Sequence, residues 1–171
     1  MMDLNKLAAE IHAAAVEKGF WAVDNALEKH VAKMHSELGE VVQADRAGIM
    51  YETEREGAKP EGIAAELADF VMMTLDYIAY VMEDDAARIF SINVELEGAM
   101  DDEPAYRIAL ALHRALSHVA EMKDGEGIRG LLACIHFPAV WLERRGYDIW
   151  EIIRAKMEYN RTRPALHGRA Y

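Results

Sequence analysis

Little in this chain could build anything but helices. Of its 171 residues, four are proline and eleven are glycine, so tight hairpin turns have little raw material. No run of alternating β-branched residues is bounded by turn signals, which counts against a sheet. Cys134 is the single cysteine, so no intrachain disulfide can form. No secretory signal is visible, and a reducing cytoplasm is the expected compartment. Long apolar runs are missing too. The longest, Phe70 to Met82, contains Asp76 and is too short to span a bilayer. Positive charge is also scarce: 19 Lys and Arg stand against 30 Asp and Glu, for a net charge of −11. That balance disfavours a nucleic-acid polymer or an anionic membrane as partner. There is no GxxxxGK[ST] segment, so the chain is not a P-loop NTPase.

The chain is instead rich in Ala, Leu, Glu and Met, with 52% hydrophobic residues. The expectation is one all-α domain over 1–171, a helical bundle of about five to seven helices. The spacing of Leu4, Leu7, Ala8, Ile11 and Ala15 predicts a helix over 4–18, capped by Asp3 and stopped by Gly19. Phe20 and Trp21 fall in the link that follows. A second helix is expected from about Asn25 to Ile49, a polar loop over 51–62, and a third helix from Gly62 to Met82. That connection is short enough for antiparallel neighbours. A short helix is expected over 85–100. Another follows the start signal at Asp101 to Pro104, with Ile108, Leu112, Ala115 and Val119 as its core stripe. Gly125 and Gly127 are read as breakers. Helix resumes over 128–145 with an interruption near Pro138, and Gly146 stops it. Asp148 to Glu151 resembles a capping box opening a last helix to about Asn160. Arg163-Pro164 then turns the basic end into a C-terminal arm.

The second and third helices carry an anomaly. Glu37 and Glu40 are three residues apart, as are Glu66 and Asp69, so each pair shares a helix face. Those faces are the apolar ones. Met34, Leu38 and Val41 flank Glu37, and Ile63, Leu67 and Phe70 flank Glu66. Surface acids ordinarily lie opposite the apolar stripe. Four carboxylates gathered in a half-buried place must be protonated, paired with bases, or bind cations. All four are hard oxygen donors, which suit Mg²⁺ or Mn²⁺ rather than zinc. No histidine lies three residues after a glutamate, which counts against a di-iron bundle. Gly39 and Ala68 occupy equivalent positions in the two motifs, where small residues would let the backbones approach.

The tail is the second constellation. From Arg154 to Tyr171 there are five Lys or Arg and one acid, a net of +4 that leaves −15 on the remainder. Lys156 and Asn160 share a face, and Arg163 follows. A lysine offers a point charge to phosphate, an arginine a fork, and an asparagine a donor and an acceptor. The alternative is a solubilising basic end. Trp21 could stack on a base or simply pack a helix. Lys33, four residues before Glu37, could pair with it. Trp141, Trp150 and Cys134 are read as core, and His113, His118 and His136 as structural or exposed.

Together these segments resemble the MazG-like all-α nucleoside triphosphate pyrophosphohydrolases, a superfamily that includes the dimeric dUTPases and dCTPases. The resemblance rests on His35 to Arg46, Gly62 to Asp69, and the tail residues Lys156, Tyr159-Asn160, Arg163-Pro164 and His167-Gly168. The family pattern EExxE then ExxD reads here as Ser36, Glu37, Glu40, then Glu66, Asp69, with Ser36 in place of the first glutamate. The resemblance implies Mg²⁺-dependent cleavage of a (d)NTP to (d)NMP and pyrophosphate. It implies Glu37, Glu40, Glu66 and Asp69 as metal ligands, and Lys156, Asn160 and Arg163 on the substrate. It also implies a homodimer or homotetramer. A helical bundle that binds nucleotide or protein without turnover is the competing class, and a purely structural bundle with its acids saturated by Lys and Arg is a third.

Overall fold

A computed structural model describes residues 3–22, 27–53, 58–82, 103–121 and 126–165. Six helices lie among them: α1 (Leu4–Glu17), α2 (Leu27–Ala47), α3 (Ile63–Met82), α4 (Ala105–Glu121), α5 (Glu126–Glu143) and α6 (Ile149–Arg161). The only β pairing among the described residues is a single bridge between Glu52 and Glu61. The helix expected over 85–100 and the arm beyond Ala165 lie outside the described residues. Among the described residues no helix is long and apolar enough to cross a membrane.

The helix ends follow local chemistry. Asp3 caps α1, its carboxylate accepting from the Lys6 backbone N–H at 3.1 Å, and Gly19 beyond it has φ +85°. Asp148 caps α6 in the same way through the Trp150 N–H at 2.8 Å. α2 ends at Ala47, sooner than its pattern suggests, because Gly48 turns left-handed at φ +72°. Two other expectations give way. Gly127 does not break the chain but lies inside α5, and α5 runs through Pro138 without interruption. The buried neighbours Leu131, Leu132, Cys134, Ile135 and Leu142 hold that helix by packing, which outweighs a missing N–H.

α3 is the axis. It packs against α1, α2, α5 and α6, while α4 packs against α2 and α5. Ala64, Ala65, Leu67, Ala68, Phe70, Val71, Leu75 and Ile78 are at most 1% exposed, so α3 is buried nearly all round, as its composition demands. α2 and α3 run antiparallel. His30 meets Tyr77 at a ring separation of 5.1 Å, and the Thr74 hydroxyl lies 3.9 Å from the Met34 sulfur.

The α2–α3 connection closes on itself. Glu52 and Glu61 exchange two backbone hydrogen bonds at 3.0 Å, and Ile63 and Ala64 donate to the Ile49 and Met50 carbonyls. Gly62 is required there. Its φ is +98°, and an added Cβ would sit 2.9 Å from the Ile49 carbonyl oxygen. Gly39 has no such role. A Cβ there would meet nothing within 4 Å, so the two acidic motifs do not approach through it. The close helix approach is elsewhere, at Gly130 of α5, where a Cβ would lie 2.7 Å from Val119 of α4.

Candidate metal centre

An almost wholly buried helix tolerates few charges, and α3 contains three: Glu66, Asp69 and Asp76. The first two sit on its first turns. The antiparallel register brings α2 alongside, so that Glu37, Glu40 and Glu66 present carboxylate oxygens within 4.8 Å of one another. Opposed oxygens around Mg²⁺ lie about 4.2 Å apart, twice its bond length, so this spread approaches that of a shared coordination shell. Glu66 is buried and Glu37 half-buried, while Glu40 faces solvent. The metal-ligating fit rests on donor chemistry and convergence. Three hard oxygens meet with no nitrogen or sulfur among them.

The fourth acid behaves differently. Asp69 is outside that trio and is held by the Lys156 ammonium of α6 in a short, charge-assisted hydrogen bond. The same ammonium is 3.8 Å from Glu66. The Lys156 side chain is 3% exposed. Among the described residues, Lys156 is the only Lys or Arg within ion-pair distance of any of the four. One ammonium therefore pairs with two of the four carboxylates, and among the described residues no Lys or Arg pairs with Glu37 or Glu40.

The electrostatics register that imbalance. Glu37 is pushed up to about 8, first by burial, then by Asp69, Glu40 and Glu66. Glu66 and Asp69 are also raised, again through burial first, with Lys156 opposing the shift. Lys59, on the closing loop, opposes it too for both acids. Lys59 is half-exposed and only loosely paired with Glu61 at 3.7 Å. No motif marks it, because a lone lysine in a polar loop has no pattern.

The other tail candidates do not reach the acids. Asn160 is one turn beyond Lys156 and half-buried, and the Arg163 guanidinium lies 5.8 Å from the Tyr159 ring centre. Lys18 of α1 donates to the Arg161 and Arg163 carbonyls, tying the end of α6 to α1. Lys33 does not pair with Glu37. Its ammonium lies over the Phe20 ring at 5.7 Å.

Trp21 stands in a second cluster, around the third acid of α3. Asp76 accepts from the Trp21 indole N–H at 3.0 and 3.1 Å and pairs with His12 Nδ1 at 2.7 Å. The Trp21 ring stacks on Tyr80 at 4.1 Å and on His30 at 4.5 Å. Burial raises Asp76 to about 6, with His12, Trp21 and Lys33 pulling the other way. Asp76 follows Asp69 by two helical turns, roughly 10 Å along α3. No motif links His12 to Asp76 across so many residues; the one signal in the sequence is the charge of Asp76 inside the longest apolar run.

Further off, His35 of α2 and His113 of α4 share a hydrogen bond between Nδ1 atoms at 2.7 Å. Their planes differ by 9° with centroids 5.0 Å apart, so the rings meet edge to edge. His113 is lowered by burial and by His35. Cys134 is buried, and burial pushes its thiol up to about 12, which makes it an inert core residue. Trp141 is buried as expected and donates to the Glu103 carbonyl at 2.9 Å.

No family model, curated protein or solved structure matches this chain.

Proposed function

We propose that the protein is a Mg²⁺-dependent nucleoside triphosphate pyrophosphohydrolase of the MazG-like kind. The observation that carries the reading is the convergence of Glu37, Glu40 and Glu66 from two antiparallel helices, with more carboxylate than base to neutralise it. A bundle in which Lys and Arg saturate the acids fits less well, since Lys156 pairs with only Glu66 and Asp69 of the four.

In this reading Glu37, Glu40, Glu66 and Asp69 hold Mg²⁺, or Mn²⁺ in its place. The ion supplies Lewis-acid polarisation of phosphoryl oxygen. One carboxylate of the set orients the water that attacks the α-phosphorus, and pyrophosphate leaves. Lys156, Asn160 and Arg163 supply donors to the phosphates. Trp21 would serve the base only through Tyr80, the exposed ring of its stack, because His30 and Tyr80 already stack on the indole. The assembly this reading implies is a homodimer or homotetramer, which light scattering measures.

The test is a panel of common and modified (d)NTPs with Mg²⁺, Mn²⁺ or EDTA, read by pyrophosphate release. Turnover that needs the metal and yields monophosphate is the expected result. Tight nucleotide binding with no pyrophosphate from any member would assign the protein to the non-catalytic class instead.

A further inference from the structure

Asp69 and Glu66 share one face of α3, yet only Glu66 joins the carboxylate trio. What separates them is Lys156. Its ammonium bonds Asp69 closely and reaches Glu66 only at 3.8 Å. A buried ammonium stays buried only while it is paired, because water no longer compensates its charge. Asp69 is its principal partner. Lys156 therefore occupies, with a single charge, a place that a dication in the trio would contest.

We propose that Lys156 is the resident cation of the acidic site, and that a divalent metal displaces it from Asp69 and turns it into an anion-binding group. The inference rests on the reading of these acids as a metal site. Three features of the geometry favour exchange over simple addition. The Asp69 side chain keeps 28% of its surface exposed against 9% for Glu66, so it is the less enclosed of the two acids. A lysine stem has four rotatable carbons, so the ammonium can move without moving α6. A dication next to an ammonium repels it, and the low-dielectric surroundings strengthen that repulsion. The exchange fixes an order. The metal-free site has a lysine locked on a carboxylate. The metal-loaded site has an ammonium released beside a dication, which is what a phosphate or pyrophosphate anion needs. Metal would bind first and phosphate second.

The test is trace acetylation of the native protein with acetic anhydride, followed by peptide mass spectrometry, in EDTA, in Mg²⁺, and in Mg²⁺ with inorganic pyrophosphate. Lys156 is expected to label several-fold faster in Mg²⁺ than in EDTA, and to be protected again by pyrophosphate. Lys6 and Lys29 serve as references that stay constant. Lys156 labelling that does not change at a Mg²⁺ concentration that raises Tm would overturn the exchange while leaving the metal site standing. No Tm rise with Mg²⁺ would overturn both. A second measurement uses Lys156→Met. Mg²⁺ alone should still raise its Tm, and pyrophosphate should add nothing further. Loss of the Mg²⁺ effect in this variant would show that the lysine supports the metal instead of competing with it.

Discussion

Glu66 and Asp76 stand on the same buried helix, roughly 15 Å apart along its axis, and their surroundings treat their charge in opposite ways. Asp76 is met by donors: the Trp21 indole, the His12 ring, and the field of Lys33. Every partner there answers a single carboxylate, and rings close around it. Glu66 is met mostly by other acids. Glu37 and Glu40 converge on it from α2, and the one buried ammonium nearby is committed chiefly to Asp69. The first arrangement is complete as it stands. The second is short of positive charge, and its acids must be protonated or meet a further cation. Burial raises the proton affinity of both Asp76 and Glu66, so burial alone does not tell a structural acid from a ligand-binding one. The sign of the neighbouring charges separates the two surroundings, and it is on this that the proposed metal site rests.

The sharpest way to break that contrast is to remove one acid from each end. Glu66→Ala should cost on the order of 10²-fold or more in Mg²⁺-dependent pyrophosphate release and abolish the rise of Tm with Mg²⁺. Full activity in this variant would refute the metal assignment. Asp76→Ala should do the reverse. It leaves the Trp21 N–H and His12 without their acceptor, at a cost of about 2–4 kcal/mol in urea unfolding, while the Mg²⁺-induced Tm rise persists. An Asp76→Ala protein as stable as the parent would mean that the aromatic cluster is not the closed unit described.

A smaller effect is expected from pH. The folded Glu37 carboxyl is raised to about 8 from 4.5, so the folded state holds a proton that the unfolded chain has already released. Its stabilising contribution is fully present below about pH 4.5 and is lost as pH rises through about 8. In EDTA, Tm should therefore fall across that window. Glu37→Gln should flatten the decline, and so should Mg²⁺, which replaces the proton as counter-charge. A decline as steep in Glu37→Gln, or in the parent with Mg²⁺, as in the parent in EDTA would place its origin elsewhere. The smallest change is Trp21→Phe, which keeps a ring but loses the hydrogen bond to Asp76. It should cost about 1 kcal/mol in urea unfolding and leave the Mg²⁺ response untouched.

The elements themselves were legible because they depend on neighbours a few residues away. Asp3 and Asp148 as caps, Gly19 and Gly146 as stops, and the stripe Ile108, Leu112 and Val119 all follow from local periodicity. Local rules misled where packing outweighed them. Gly127 and Pro138 are weak helix formers, yet α5 runs through both, held by a buried face. Gly39 looked like a contact point and faces open space, while Gly130, unmarked by any motif, is where two helices touch closely.

The candidate site divides in the same way. Acids placed within apolar stripes were visible in one dimension, since a carboxylate at a core position is an anomaly wherever the helix packs. The sequence by itself determined helical elements, acids spaced among the apolar residues of two helices, and a basic last segment. Only the tertiary structure decided which of the four acids converge, that Lys156 reaches back 87 positions to Asp69, and that Trp21 and His12 close around Asp76 and not around the acids. The reason is physical. Helical periodicity is set by bonds spanning a few residues, whereas the pairing of charges depends on the register and rotation with which whole helices pack. That choice is made by the summed burial of many side chains, and no short stretch of sequence carries it.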